Sequence, residues 1–443
     1  MNNSASPKAH RQVSSIAVWS WILYDFASTI FSVSILSYFF PLWLGDELGA
    51  GASLFNYITA ASMVLVALTA PAFGAVADLR QRRRIYLVVF TILAVVCTTG
   101  LSFSGTVIAA AALFIAGNFT YQSAQVFYNA LLPNVSPERG MGRVSGYGVA
   151  AGYVGTIFAL LLITPFVTNP TEIQSLLGPL GGWIQTTGTL NSNAFLPTAM
   201  LYLLFSLPSF FFVSDRWIHA PLPVSLQATY RGVLSTIRNA RNYAGMGAFL
   251  LGTILYTDAA NTAVVNMSLY GREVFGMEQG EIRNLLLFST VFAAVGAVGF
   301  GFVTDRLGPK HTLVMVLITW LGAILLAAVA ATPWMLLLAG PVVGIALGAT
   351  WVVSRVMLVA LSPAEKLGEF FGFYALAGRL SAVTGPLITA ILLTVFDGLG
   401  STGYRLAVAF LALIVILALI LLLRIPDVRP ERVIEEFSKG SYT

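Results

Sequence analysis

Twelve apolar runs, each long enough to cross a bilayer and none with more than two charged residues, leave this chain little choice of fold. A spanning helix needs about 20 predominantly apolar residues. Such runs fall near 16–44, 53–77, 86–104, 107–131, 143–168 and 195–214, and again near 245–271, 282–303, 311–330, 333–357, 369–396 and 402–425. The short turns Ser104-Gly105 and Thr332-Pro333 divide two segments that would otherwise be overlong. Hydrophobic residues make up 57% of the chain and charged residues 10%, against about 25% charged in a soluble domain, so most of the surface has to meet lipid. The polar stretch Met1 to Ser15 precedes a run too long for a signal-peptide core, and that run is read as the first span.

The basic residues set an orientation. With a cytoplasmic N-terminus, nineteen Lys and Arg fall in inner segments and three, Arg272, Arg283 and Arg405, at outer ones. That asymmetry places both termini inside. Because the net charge of +5 is spread over short clusters between spans, it marks topology and gives no patch for nucleic acid.

The two halves repeat one another. Ile22-Leu23-Tyr24-Asp25 returns as Ile254-Leu255-Tyr256-Thr257-Asp258, and Phe73-Gly74 through Asp78 returns as Phe300-Gly301 through Asp305. Ser136-Pro137 with Gly146 and Gly152 returns as Ser362-Pro363 with Gly372 and Gly378. The offsets stay between 226 and 233 residues. Six spans per half keep both halves in the same orientation, which is a parallel repeat about an axis along the membrane normal. The expected fold is therefore an all-α membrane protein of two six-helix bundles, 1–214 and 245–443, joined by a cytoplasmic linker, 215–244.

Gly74 to Arg84 and Gly301 to Lys310 resemble the loop signature of major facilitator transporters, a Gly, an Asp four residues on, then basic residues. The second copy keeps Asp305-Arg306-Leu307-Gly308, whereas the first has Gln81 where the family usually has its second Gly. Trp21 to Ser28, Phe127-Tyr128-Asn129-Ala130 with Pro133, Gly146 to Tyr153, Tyr256-Thr257-Asp258 and Glu369 to Tyr374 are similar to the vacuole-effluxer-like branch of that superfamily. The resemblance implies secondary transport by alternating access. It also implies an amino acid or another zwitterionic or amphiphilic solute as cargo, in the manner of the branch's amino-acid effluxers. In such families these loops latch the inner gate, which assigns that role to Asp78, Arg82, Arg83, Asp305, Arg306 and Lys310. Arg80 to Arg84 would equally suit anionic lipid head groups.

Charge inside a span costs about 2.5–3.5 kcal/mol even on lenient scales, so Asp25, Asp258, Arg355 and Arg379 should surround a shared interior. Asp25, Ser28, Thr29 and Ser32 share one helical face, and Asp258, Asn261, Thr262 and Asn266 form a matching stripe. On the fourth span Asn118, Gln122, Gln125 and Asn129 line up, flanked by Tyr121 and Tyr128. These stripes, with Tyr24 and Tyr374, are the expected substrate wall, and the four charged residues the expected proton-coupling set. Helix-to-helix glue is the competing use of the amides and hydroxyls. Trp19, Trp21, Trp43, Trp320 and Trp334 read as interface anchors.

One cysteine, Cys97, and three histidines, all in polar connections, give no disulfide, metal or cofactor site. With no phosphate-binding loop and no Ser–His arrangement in the spans, an ATP-driven pump or a membrane enzyme is not expected. The expectation is a monomeric carrier in a bacterial cytoplasmic membrane, its partners a small solute, protons and lipid. A sensor that kept the fold without transporting is the alternative.

Overall fold

The computed structural model describes residues 13–440, except 51, 138, 187–189, 216–221, 223, 224, 240, 241, 397 and 398. Twelve long helices run through it: α1 (residues 15–46), α2 (Ala52–Arg80), α3 (Arg83–Leu101), α4 (Val107–Ala130), α5 (Met141–Thr168), α6 (Phe195–Phe212), α7 (Met246–Phe275), α8 (Gln279–Leu307), α9 (Pro309–Val329), α10 (Pro333–Leu361), α11 (Leu367–Val395) and α12 (Ser401–Leu423). Among the described residues eleven are long and apolar enough to cross a membrane. Part of α11, which fills the twelfth place, lies outside the described side chains. Helices are the form such runs must take, because lipid offers nothing to a backbone N–H or C=O.

Local chemistry sets the ends. Thr106 accepts a hydrogen bond from Ala109 N (3.3 Å) to start α4, Glu278 and Glu281 form a capping box before α8, and prolines open α9 and α10. The turn from α8 to α9 passes through Gly308 at φ +86°, and the α2–α3 turn has a positive φ at the matching position, Gln81, at 55°. Gln81 is buried and donates from Nε2 to the Asp78 carbonyl, so the turn survives without its glycine. In α1 the helix widens to π spacing over Ser32–Tyr38.

The packing repeats as the sequence does. In the first half α1 packs on α5 and α6, α3 on α4 and α6, and α2 on α4. In the second, α7 packs on α11 and α12, α9 on α10 and α12, and α8 on α10. Between the halves α2 meets α11 and α5 meets α8. This is the twelve-helix, two-bundle fold of the major facilitator superfamily.

Two smaller helices that apolar-run counting could not find, Leu226–Arg238 and Glu431–Gly440, lie at the end where α1 begins and α12 finishes. Leu226–Arg238 buries Thr229, Val233 and Thr236, and Lys366 Nζ donates to Thr236 Oγ1 (2.9 Å). Glu431–Gly440 buries Val433 and Ile434 against the same end.

Candidate functional site: a latched cavity between the two bundles

At one end of the molecule the repeated loop signature brings the two halves into contact. Asp78, at the end of α2, accepts hydrogen bonds from the backbone N–H groups of Gly368 (3.1 Å) and Glu369 (3.0 Å) in the first turn of α11. Asp305, at the end of α8, accepts from Gly142 N (2.7 Å) and Arg143 N (3.2 Å) in the first turn of α5. Each carboxylate therefore caps a helix of the other half, where free N–H groups and the helix dipole favour an anion. The glycine one turn earlier makes the approach possible. A Cβ on Gly74 would collide with the Gly368 carbonyl, and one on Gly301 would sit 2.7 Å from the Gly142 carbonyl. Arg83 completes the first site, with Nη2 2.7 Å from Asp78 Oδ1 and 3.2 Å from the Ala364 carbonyl across the interface. Arg143 completes the second, with Nε 2.9 Å from Asp305 Oδ2.

Further along the helices the halves separate around a cavity of two adjoining chambers, about 370 and 670 Å³. Gln122, Tyr153, Trp351, Arg355 and Arg379 line both. The smaller chamber adds Asp25, Thr29, Ser32, Tyr121, Val149, Gly152 and Thr156. The larger adds Gln125, Asn129, Thr257, Asn261, Phe371 and Tyr374 among others. At Thr156 the smaller chamber adjoins a vestibule of about 800 Å³, between the ends of α5, α7 and α8 remote from the latch. Two contacts cross the cavity. Arg355 Nη1 lies 2.8 Å from Asp25 Oδ2, both side chains nearly buried, and Arg379 donates from Nη2 to Gln122 Oε1. The Arg355 guanidinium also rests over Tyr128 (5.5 Å) and Trp21 (5.9 Å), whose rings stack on each other at 4.4 Å. Gly148 leaves room for this assembly, since a Cβ there would lie 2.8 Å from Trp21 and 3.1 Å from Asp25 Oδ2.

The profile of the family described as vacuole effluxer Atg22 like matches residues 50–141 and 138–433. The chain belongs to that family. An uncharacterized MFS-type transporter of Bacillus subtilis (strain 168), YxiO, is 25% identical over 90% of this chain and 94% of its own. Among solved structures, the major facilitator transporter FucP in the outward conformation superposes with a TM-score of 0.70 at 14% identity, over 93% of this chain and 98% of its own. A bacterial homologue of the iron transporter ferroportin in an outward-facing state gives 0.68 at 13% identity, over 93% and 99%. The structural likeness carries the fold, and the family carries the function: this is an integral, multi-pass membrane transporter of the major facilitator superfamily, and the proteins it resembles are transporters, not enzymes.

In this Atg22-like chain the residues singled out from the sequence divide sharply. Asp25, Thr29, Tyr121, Gln122, Gln125, Asn129, Asn261, Tyr374, Arg355 and Arg379 line the cavity. Asp258 and Thr262 do not. Asp258 is 3% exposed and off both chamber walls. Thr262 faces a separate small cavity inside the second bundle with Asn266. The stripe fails because α7 turns Thr257 and Asn261 to the cavity, one residue round from the face expected. Tyr24 is likewise buried in the first bundle, its hydroxyl shared with Thr91 (2.7 Å) and Tyr202 (3.1 Å). Ser28 folds back on the Asp25 carbonyl (3.0 Å), and Asn118 ties α4 to α2 through Ser62 Oγ (2.7 Å). At the latch, Arg82 and Arg306 are exposed and Lys310 donates to the Leu423 carbonyl (3.3 Å), so Arg83 and Arg143 are the arginines at the two aspartates. Trp21, expected at the membrane interface, is 1% exposed.

Sequence reasoning missed Arg143, which it counted only as a loop charge, and Tyr153, Trp351 and Phe371, whose apolar surroundings look like any other lipid-facing stretch. For the three aromatics the one signal is position: Tyr153 lies one helical turn from Thr156, Trp351 from Arg355 and Phe371 from Tyr374.

Proposed function

We propose that this transporter carries a small organic solute by alternating access, with the Asp25–Arg355 pair as the proton-sensitive element of the cycle. The observation that carries the reading is the position of that pair. It joins α1 of one bundle to α10 of the other across a midplane cavity, about 15 Å into α1, while the latch end is closed by both trans-capping aspartates. The positive-inside balance makes the latch end cytoplasmic, so the conformation corresponds to an outward-facing one. Protonation of Asp25 removes the counter-charge of Arg355 and frees the two halves to move. Asp258, buried and off both chamber walls, is left out of the proton path. The membrane proposed is a bacterial cytoplasmic one, with a single chain as the working unit, since each chain holds a whole cavity.

The reading is tested in proteoliposomes loaded with a pH-sensitive dye and offered a panel of small organic solutes. A transported solute should move protons with it. The Asp25→Asn protein should keep solute exchange and lose solute-driven proton movement. Proton movement that persists in the variant at the wild-type rate overturns the assignment, and binding without flux for every solute would favour a sensor.

A further inference from the structure

We infer that the solute is an organic anion held by Arg379, and that a zwitterion or cation is disfavoured. This rests on the cavity being the solute site of the proposed carrier, and it names the class of solute. Along the vestibule and both chambers the charged side chains of the described lining are Arg272, Arg283, Arg355, Arg379 and Asp25. Four positive groups face one negative group, and that one is engaged by Arg355 at 2.8 Å. An ammonium entering here meets no uncommitted carboxylate in the described wall. A carboxylate meets Arg379, whose guanidinium, among the described residues, is bonded only to the neutral Gln122 Oε1 and whose Nε is buried with no partner among them.

A guanidinium presents five N–H donors in a planar fork that matches a carboxylate two at a time. A single amide oxygen leaves most of that capacity unused, so Gln122 holds the fork in place rather than neutralising it. Tyr374 lines the same chamber. Trp351 and Phe371 offer aromatic surface for the rest of the molecule. Arg272 and Arg283 at the vestibule would concentrate anions on the approach, as fixed charges in a low-dielectric cleft do.

The test compares molecules that share a skeleton and differ only in charge. 3-Phenylpropionate, phenylalanine and phenethylamine form one set; 4-methylpentanoate, leucine and 3-methylbutylamine form another. Binding to the purified full-length protein is read by tryptophan fluorescence, and flux in proteoliposomes. In at least one set the carboxylate should bind about tenfold or more tighter than the zwitterion, whose ammonium would be desolvated among arginines with no carboxylate to pair with, and the amine should not bind. Arg379→Gln should abolish the preference and Arg379→Lys should keep part of it, both eluting as folded, monodisperse protein. Tighter binding of the zwitterion or amine, no binding of either carboxylate, or an unchanged preference in folded Arg379→Gln overturns the inference. Anion binding without flux would instead count against the carrier reading and leave this one standing, whereas flux of leucine or phenylalanine independent of Arg379 would do the reverse.

Discussion

Asp25 and Asp258 occupy the same place in the repeat, yet Asp25 lines the cavity and Asp258 is buried off both chamber walls. The offset of 226 that aligns Ser136-Pro137 with Ser362-Pro363 sets Asn129 opposite Arg355. Asp25 meets an arginine of the other bundle, while the position answering to that arginine in the first half holds an amide. That four charges inside apolar runs must gather was legible, because lipid forbids their exposure. Which would pair was not, since helical periodicity gives a face and says nothing of what stands across a cavity. The pair itself makes a sharp prediction. Arg355→Met leaves a buried carboxylate without its partner, a change that costs about 3–5 kcal/mol where it has been measured in buried pairs. The single variant should melt far below wild type in detergent, and adding Asp25→Asn should recover most of the loss. Equal melting temperatures for the single and double variants would show that the pair contributes nothing to the fold.

At the scale of elements the loop signature was readable and its physical meaning was not. Gly74 and Asp78, or Gly301 and Asp305, look in sequence like a helix end with a surface charge. The structure makes them one device, a glycine that lets two backbones touch and an aspartate that then caps the incoming helix. Each cap is worth about 0.5–2 kcal/mol, enough for two of them to bias a two-state equilibrium and few enough to be broken in a cycle. Gly74→Val should hold α2 and α11 apart. In a Cys97→Ser background with Asn129→Cys as reporter, a thiol reagent applied from the latch end should label the Gly74→Val protein several times faster than its parent. Equal labelling would mean that the cavity is sealed by something other than this contact. The helices Leu226–Arg238 and Glu431–Gly440, which cover the same end, escaped the sequence reading because their apolar stripes are too short to register against twelve spans.

For the whole molecule the count of spans, the repeat and the twofold arrangement followed from composition and pattern alone, because every apolar run had one stable form and every duplicated motif had one partner. The conformation did not follow, since in the proposed cycle the same contacts between α2 and α11 and between α5 and α8 open and close. The decisive measurement is a pair of spin-label distances in the Cys97→Ser protein, one between Leu161→Cys and Leu287→Cys across the vestibule, the other between exposed sites on α2 and α11 at the latch. In Asp78→Asn/Asp305→Asn protein the vestibule distance should shorten and the latch distance lengthen together, as rocking of two rigid bundles requires. If both distances stay where they are in wild type, or both lengthen, the two halves do not alternate about this cavity.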